Sequence, residues 1–175
     1  MADNEPQPAL DYEGAGPALE FALWSLGDQI QTIERTDGKS ERAITLGITI
    51  VALFSGALTF QLDGSGRAGA IVALSASIVV AGCFIAAVWL FFRSYAVVDW
   101  YLGPDGRRLL GVSREHEDRR TRQWLAEQIF AAVDSNASGL QAKTNWSTWL
   151  FRAVLLEAVA AGGGVIAIAI AAAAA

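Results

Sequence analysis

The stretch FRAVLLEAVAAGGG, residues 151–164, sets Glu157 among Ala, Val, Leu and Gly. A carboxyl group there could hold or pass a cation, and an ionisable residue inside an apolar span is by default a functional candidate. The single histidine, His116, lies in Arg114-Glu-His-Glu-Asp118. Histidine beside carboxylates invites a metal reading, but no second His or Cys accompanies it, and adjacent carboxylates on a helix point in different directions. No metal is expected there; acidic residues suit a solvated helix start. Arg107, Arg108, Arg114, Arg119, Arg120 and Arg122 form a basic group suited to anionic lipid headgroups, or to a phosphate or nucleotide ligand. No glycine-rich phosphate loop stands beside them. Cys83 is the only cysteine, so neither an internal disulfide nor a cysteine-built zinc site is expected. With no nucleophile beside a base and no defined carboxylate pair, neither an enzyme nor a cofactor is expected.

The elements that position these residues follow from where the apolar residues lie. They make up 53% of the chain and concentrate in residues 43–62, 68–92 and 149–172, each long enough for a spanning helix, which needs roughly 20 mostly apolar residues. A soluble core helix keeps a polar face, whereas residues 68–92 are interrupted only by Ser75 and Ser77. The expected fold is an all-α membrane protein, with three transmembrane helices and cytoplasmic amphipathic helices forming a small helical bundle. A signal peptide is not expected, since a long polar stretch precedes the first apolar block. The net charge of −5 argues against nucleic acid as a partner. Arg outnumbers Lys and Ala is abundant, which suggests a prokaryotic chain.

Lysine and arginine near the spans set topology. Arg35, Lys39 and Arg42 precede the first span, Arg93 through Lys143 lie between the second and third with Arg152 at the start of the third, and no basic residue follows it. The expected placement is multi-pass in the inner (cell) membrane, with the N-terminus and residues 93–148 cytoplasmic and the C-terminus outside. Asp63-Gly-Ser-Gly66 has the chemistry of a tight reversal between spans one and two. On this topology the Asn136-Ala-Ser138 and Asn145-Trp-Ser147 sequons stay unmodified.

Residues 1–16 are polar and rich in Pro, Gly and acids, a composition expected to remain disordered. From Pro17, a residue suited to a first helical turn, Leu19, Ala22, Leu23, Leu26, Ile30 and Ile33 recur at helical spacing. They predict an amphipathic helix within residues 17–42. Gly103-Pro104-Asp105-Gly106 breaks the chain after span two. Ser113 is then expected to cap a second amphipathic helix bearing Trp124, Leu125, Ile129, Ala132, Val133 and Leu140 on one side. The two apolar stripes are expected to pack on each other.

Glu157 lies five residues after Arg152, about 7–8 Å along a helix, and is therefore shallow. At the same depth span one holds Thr45 and Thr49 and span two holds Trp89, predicting an intramembrane polar cluster of Glu157, Thr45, Thr49 and Trp89, or an approach of Glu157 to Arg93. Ala52/Gly56, Gly69/Ala73, Gly82/Ala86, Ala158/Gly162 and Ala160/Gly164 are small-xxx-small pairs that let helices approach closely. Three spans cannot use every such face, and homo-oligomerisation is expected.

The order of parts is an amphipathic helix, Asp37-x-Lys39 before span one, a tight hairpin and a Gly-Pro break. Ala132-x-x-x-Asn136 and Lys143 then lead into a last hydrophobic helix. Over about residues 18–160 this resembles the small membrane effectors of pyrimidine-cyclase (Pycsar-type) anti-phage systems and the related SLATT group of prokaryotic membrane domains. Gly38 and Ser40 stand where that pattern has helix-favouring residues, and no Arg-Pro pair follows span two. The resemblance implies an antiviral-defence effector that answers a nucleotide or cytoplasmic protein signal and impairs the inner membrane through oligomers. It also implies a family-like motif of Asp37, Lys39, Asn136 and Lys143. The alternative is a structural or accessory subunit, whose cytoplasmic helices dock a partner through the aromatic stripe around Trp100 and Trp124.

Overall fold

The computed structural model describes residues 14–62, 66–96, 100–115 and 117–174. They form four helices and, among the described residues, no strand: α1 (Ala15–Leu62), α2 (Gly66–Tyr95), α3 (Gly106–Glu115) and α4 (Asp118–Ala173). Three of these, α1, α2 and α4, are long and apolar enough to cross a membrane. The expectations for residues 1–13, for the reversal at residues 63–65 and for His116 lie outside the described residues.

Helix α1 begins at Ala15, so the last two residues of the segment expected to be disordered are helical, with Pro17 in the first turn. It continues without a break through Thr36–Arg42, where the apolar repeat of residues 19–33 gives way to polar residues and Gly38. Two hydroxyls in this stretch turn back onto the helix. Thr36 donates to the Thr32 carbonyl at 2.8 Å and Ser40 lies 3.0 Å from the Thr36 carbonyl, so these side chains bond along the helix rather than terminating it. Gly38 costs the helix only about 1 kcal/mol.

The Gly-Pro break is present at residues 100–105, where Gly103 has φ +121°, a left-handed conformation that L side chains rarely adopt. Asp105, not Ser113, caps the next helix: its Oδ1 accepts from the Arg107 N–H at 3.3 Å. Ser113 lies inside α3 and donates to the Leu110 carbonyl at 3.1 Å. The second amphipathic stripe belongs instead to α4, which starts at Asp118 and runs on through the third apolar block. A carboxylate in that first turn complements the helix dipole.

The chain divides into two compact units, to each of which α1 and α4 contribute. In the unit of residues 1–31 and 100–137, Ala22, Ala126 and Ile129 are buried, with Leu19, Leu26, Leu125, Phe130 and Val133 packed around them. The two apolar stripes do meet here. The Gln29 side-chain amide adds a bond to the Val133 carbonyl at 2.9 Å.

The unit of residues 32–99 and 138–175 is organised by small and polar side chains. Buried positions follow one another at alternating spacings of four and three: Lys143, Ser147, Leu150, Val154, Glu157, Ala161, Gly164 and Ile168 on α4. Ser40, Ala43, Gly47 and Phe54 on α1, and Gly69, Ala73, Val80, Ala87 and Ser94 on α2, fall on the same repeat. This mean spacing of 3.5 keeps a seam facing its partners along the helix. Ala43, Ala87, Leu150 and Val154 form one apolar cluster and Phe54, Val80 and Ala161 another. A methyl group built on Gly164 would lie 2.8 Å from Ala76 Cβ and 3.2 Å from the Phe54 ring, so that approach requires glycine.

Candidate functional site

Glu157 occupies a seam position of α4 and is fully buried, at 0% exposure. Neither carboxyl oxygen has a hydrogen-bond partner among the described residues. The side chain fits because α1 offers a glycine opposite: a methyl group on Gly47 would stand 3.1 Å from Oε2, with Val154 Cγ2 at 3.7 Å and Phe84 Cδ2 at 3.8 Å. Apolar clusters lie on either side along the seam, with Ala43, Ala87 and Leu150 in one and Phe54, Val80 and Ala161 in the other. An isolated ionised carboxylate in apolar surroundings costs many kcal/mol. The layer therefore suits a neutral carboxyl group or one accompanied by a cation.

Ten residues towards the N-terminus of α4, about 15 Å along the helix, a second polar layer joins Ser40, Ser94 and Ser147, all buried. Ser40 Oγ is 3.1 Å from Ser147 Oγ and 3.4 Å from Ser94 Oγ, and Ser94 donates to the Phe91 carbonyl at 2.9 Å. One turn further, Lys143 Nζ lies 2.6 Å from Asp37 Oδ1, their side chains 7% and 27% exposed. Asp37 Oδ1 meets no hydrogen-bond geometry, so the contact is a close ion pair rather than an aligned bond. Lys143 Nζ also stands 5.6 Å from the centre of the Tyr95 ring, whose hydroxyl donates to Glu41 at 3.1 Å.

The side chains expected beside Glu157 lie elsewhere. Thr45 and Thr49 are exposed and donate to the carbonyls of Glu41 and Thr45 on their own helix, at 2.8 and 2.9 Å. Trp89 is exposed and meets Trp146 edge to face at 5.7 Å, with Arg93 5.6 Å from its ring centre. Depth counted along the helices does not fix which face a side chain takes. Thr45 is two residues from both Ala43 and Gly47, which puts it on the far side of a helix of 3.6 residues per turn.

Within the family-like motif, Asp37 and Lys143 meet, while Lys39 is exposed on α1 beside Glu34, Arg35, Gly38 and Arg42. Asn136, in the other unit, holds one peptide segment by both ends. Its carbonyl accepts from the Tyr101 N–H at 3.0 Å and its amide donates to the Tyr101 carbonyl at 2.9 Å. Arg107, Arg108 and Arg114 are exposed on α3, and Arg119, Arg120 and Arg122 on the first turns of α4. Arg122 pairs with Asp118 at 2.6 Å, and Arg108 lies 5.9 Å from the centre of the Trp124 ring.

Sequence reasoning missed the serine layer, Gly47 and the Asp37–Lys143 contact. The signal was the repeat itself: Ser40, Ala43 and Gly47 share the phase of Ser147, Leu150, Val154 and Glu157. The chain matches no protein-family model, no curated protein and no solved structure.

Proposed function

We propose that this chain is a non-enzymatic integral membrane protein that associates with copies of itself and perturbs the inner membrane of a prokaryotic cell. In this reading its three apolar helices form a small bundle in the bilayer. The observation that carries it is an inside-out distribution of side chains. Leu53, Ile85 and Leu155 are 70%, 67% and 66% exposed, while Ser40 and Glu157 are at 0%. Water would penalise so much outward apolar surface, whereas lipid tails accept it. Trp89, Trp146 and Trp149, with Arg93 and Arg152 against their rings, fit the aromatic and basic residues of a membrane boundary.

Self-association is supported by glycines turned away from the seam. Gly56, Gly82, Gly162 and Gly163 are exposed, and a methyl group on any of them would meet nothing within 4 Å. Such strips let a second helix approach closely. The distribution of arginines supports a cytoplasmic N-terminus and residues 93–148, with anionic lipids, a cytoplasmic protein or a nucleotide as partners of the basic group. The antiviral role rests on the resemblance in order of parts. Induced expression in a bacterial host, read by dye leakage and viability, tests the proposal; unaltered permeability and growth despite confirmed insertion overturn it.

A second reading, an accessory subunit that docks a protein partner, is favoured by Phe21, Leu23 and Trp24, which are exposed on α1. Crosslinked pull-down from the native host addresses it, and recovery of the chain alone rejects it.

A further inference from the structure

We propose that Glu157 is the cation-selecting residue of the membrane-perturbing state. In that state the seam has parted and the carboxylate lines a water-filled path for small monovalent cations. This rests on the effector reading and deepens it. Two observations lead there. Glu157 is fully buried with both oxygens unpartnered among the described residues, and Gly47 leaves room opposite it by having no side chain.

A structural acid would be expected to bond or pair with a neighbour, as Asp37 does with Lys143 at 2.6 Å. Glu157 does neither among the described residues. Nor does its layer suit a resident metal ion: Phe84 and Val154 are the side chains beside it at Gly47, whereas hard cations take six or more oxygen ligands. The missing oxygen ligands have to come from water. Apolar clusters on both sides of the layer keep the packed arrangement closed to ions.

Opening therefore takes Glu157 from apolar surroundings to water. A neutral carboxyl group among apolar side chains becomes hydrated, gives up its proton to water and, as a carboxylate, attracts cations as acidic rings do in cation channels. On the α1 and α2 walls the seam has Ala43, Gly47 and Ala87, which meet the larger Leu150 and Val154 of α4, with Phe84 beside Gly47. The only bond broken is the carboxyl O–H, whose proton passes to water as the side chain moves from protein to water.

The test is reconstitution of the full chain in liposomes of stated phospholipid composition, with ion flux and reversal potential recorded across a potassium chloride gradient. Wild type should conduct with a reversal potential on the cation side. Glu157→Gln should lower the flux about tenfold and bring the reversal potential towards zero, while Glu157→Asp should keep cation selectivity. Gly47→Val, which fills the space facing the carboxyl group, should raise the flux at least about threefold by forcing the side chain out.

Conduction by Glu157→Gln with unchanged rate and selectivity overturns the inference and leaves the effector reading standing. Should Glu157→Gln fail to insert, Gly47→Val decides: unchanged flux overturns the inference. Inserted wild type that conducts nothing overturns the effector reading, and this inference with it.

Discussion

Replacing Asp37 by Ala removes the partner of a lysine whose side chain is 7% exposed, while Asp37 itself is 27% exposed. This asymmetry sets the size of the effect. Breaking a fully buried pair by deleting one member costs about 3–5 kcal/mol, and an exposed pair contributes about 0.2–1 kcal/mol. Lys143 is the covered member, but its flexible stem lets the ammonium group move towards solvent. Asp37→Ala should therefore cost about 2–3 kcal/mol, between the two limits. The reverse deletion, Lys143→Met, leaves an aspartate that water can reach and should cost about 1 kcal/mol. The double variant should be less destabilised than the sum of the singles, by a coupling of about 1–2 kcal/mol. Thermal unfolding in detergent, followed by circular dichroism, should show Asp37→Ala melting about 5–10 °C below wild type. Additive single effects, or a smaller loss for Asp37→Ala than for Lys143→Met, would refute the claim that Lys143 is the buried charge.

Gly164→Ala should lower stability by about 1–3 kcal/mol through overpacking against Ala76 and Phe54, whereas Gly162→Ala, with nothing within 4 Å, should raise the same melting curve slightly, by up to about 1 kcal/mol of helix propensity. Asn136→Ala should cost about 2–3 kcal/mol by releasing both ends of its contact with Tyr101, and should speed hydrogen exchange at the Tyr101 amide selectively.

Composition located the apolar helices because a run such as residues 68–92 has few alternatives. Boundaries were less legible. Thr36-Asp37-Gly38-Lys39-Ser40 has the composition of a turn, yet α1 runs through it, because burial at Thr36 and Ser40 and the Asp37–Lys143 contact hold the segment against the cost of the glycine. Ser113 has the side chain of a cap, but the helix had already started one turn and more before it, at Gly106, behind Asp105. For Glu157, depth could be counted from Arg152, while facing depends on helical phase. Reading Ala43 and Gly47 in register with Val154 and Glu157 would have excluded Thr45 and Thr49 as neighbours. The Asp37–Lys143 contact joins residues far apart in sequence, and neither residue's local pattern names the other.

The order in which the seam's walls are synthesised has its own consequence. Residues 40, 47 and 94 leave the ribosome before residues 143–168, so on the proposed membrane placement α1 and α2 would enter the bilayer while the third wall is still being made. Ser40 and Ser94 withstand that interval, because each can bond a carbonyl of its own helix, Thr36 and Phe91. Glu157 has no such local partner among the described residues, which on that placement would make α4 the costly helix to insert alone. By then the recess at Gly47 already exists, so the acid arrives after the place that receives it.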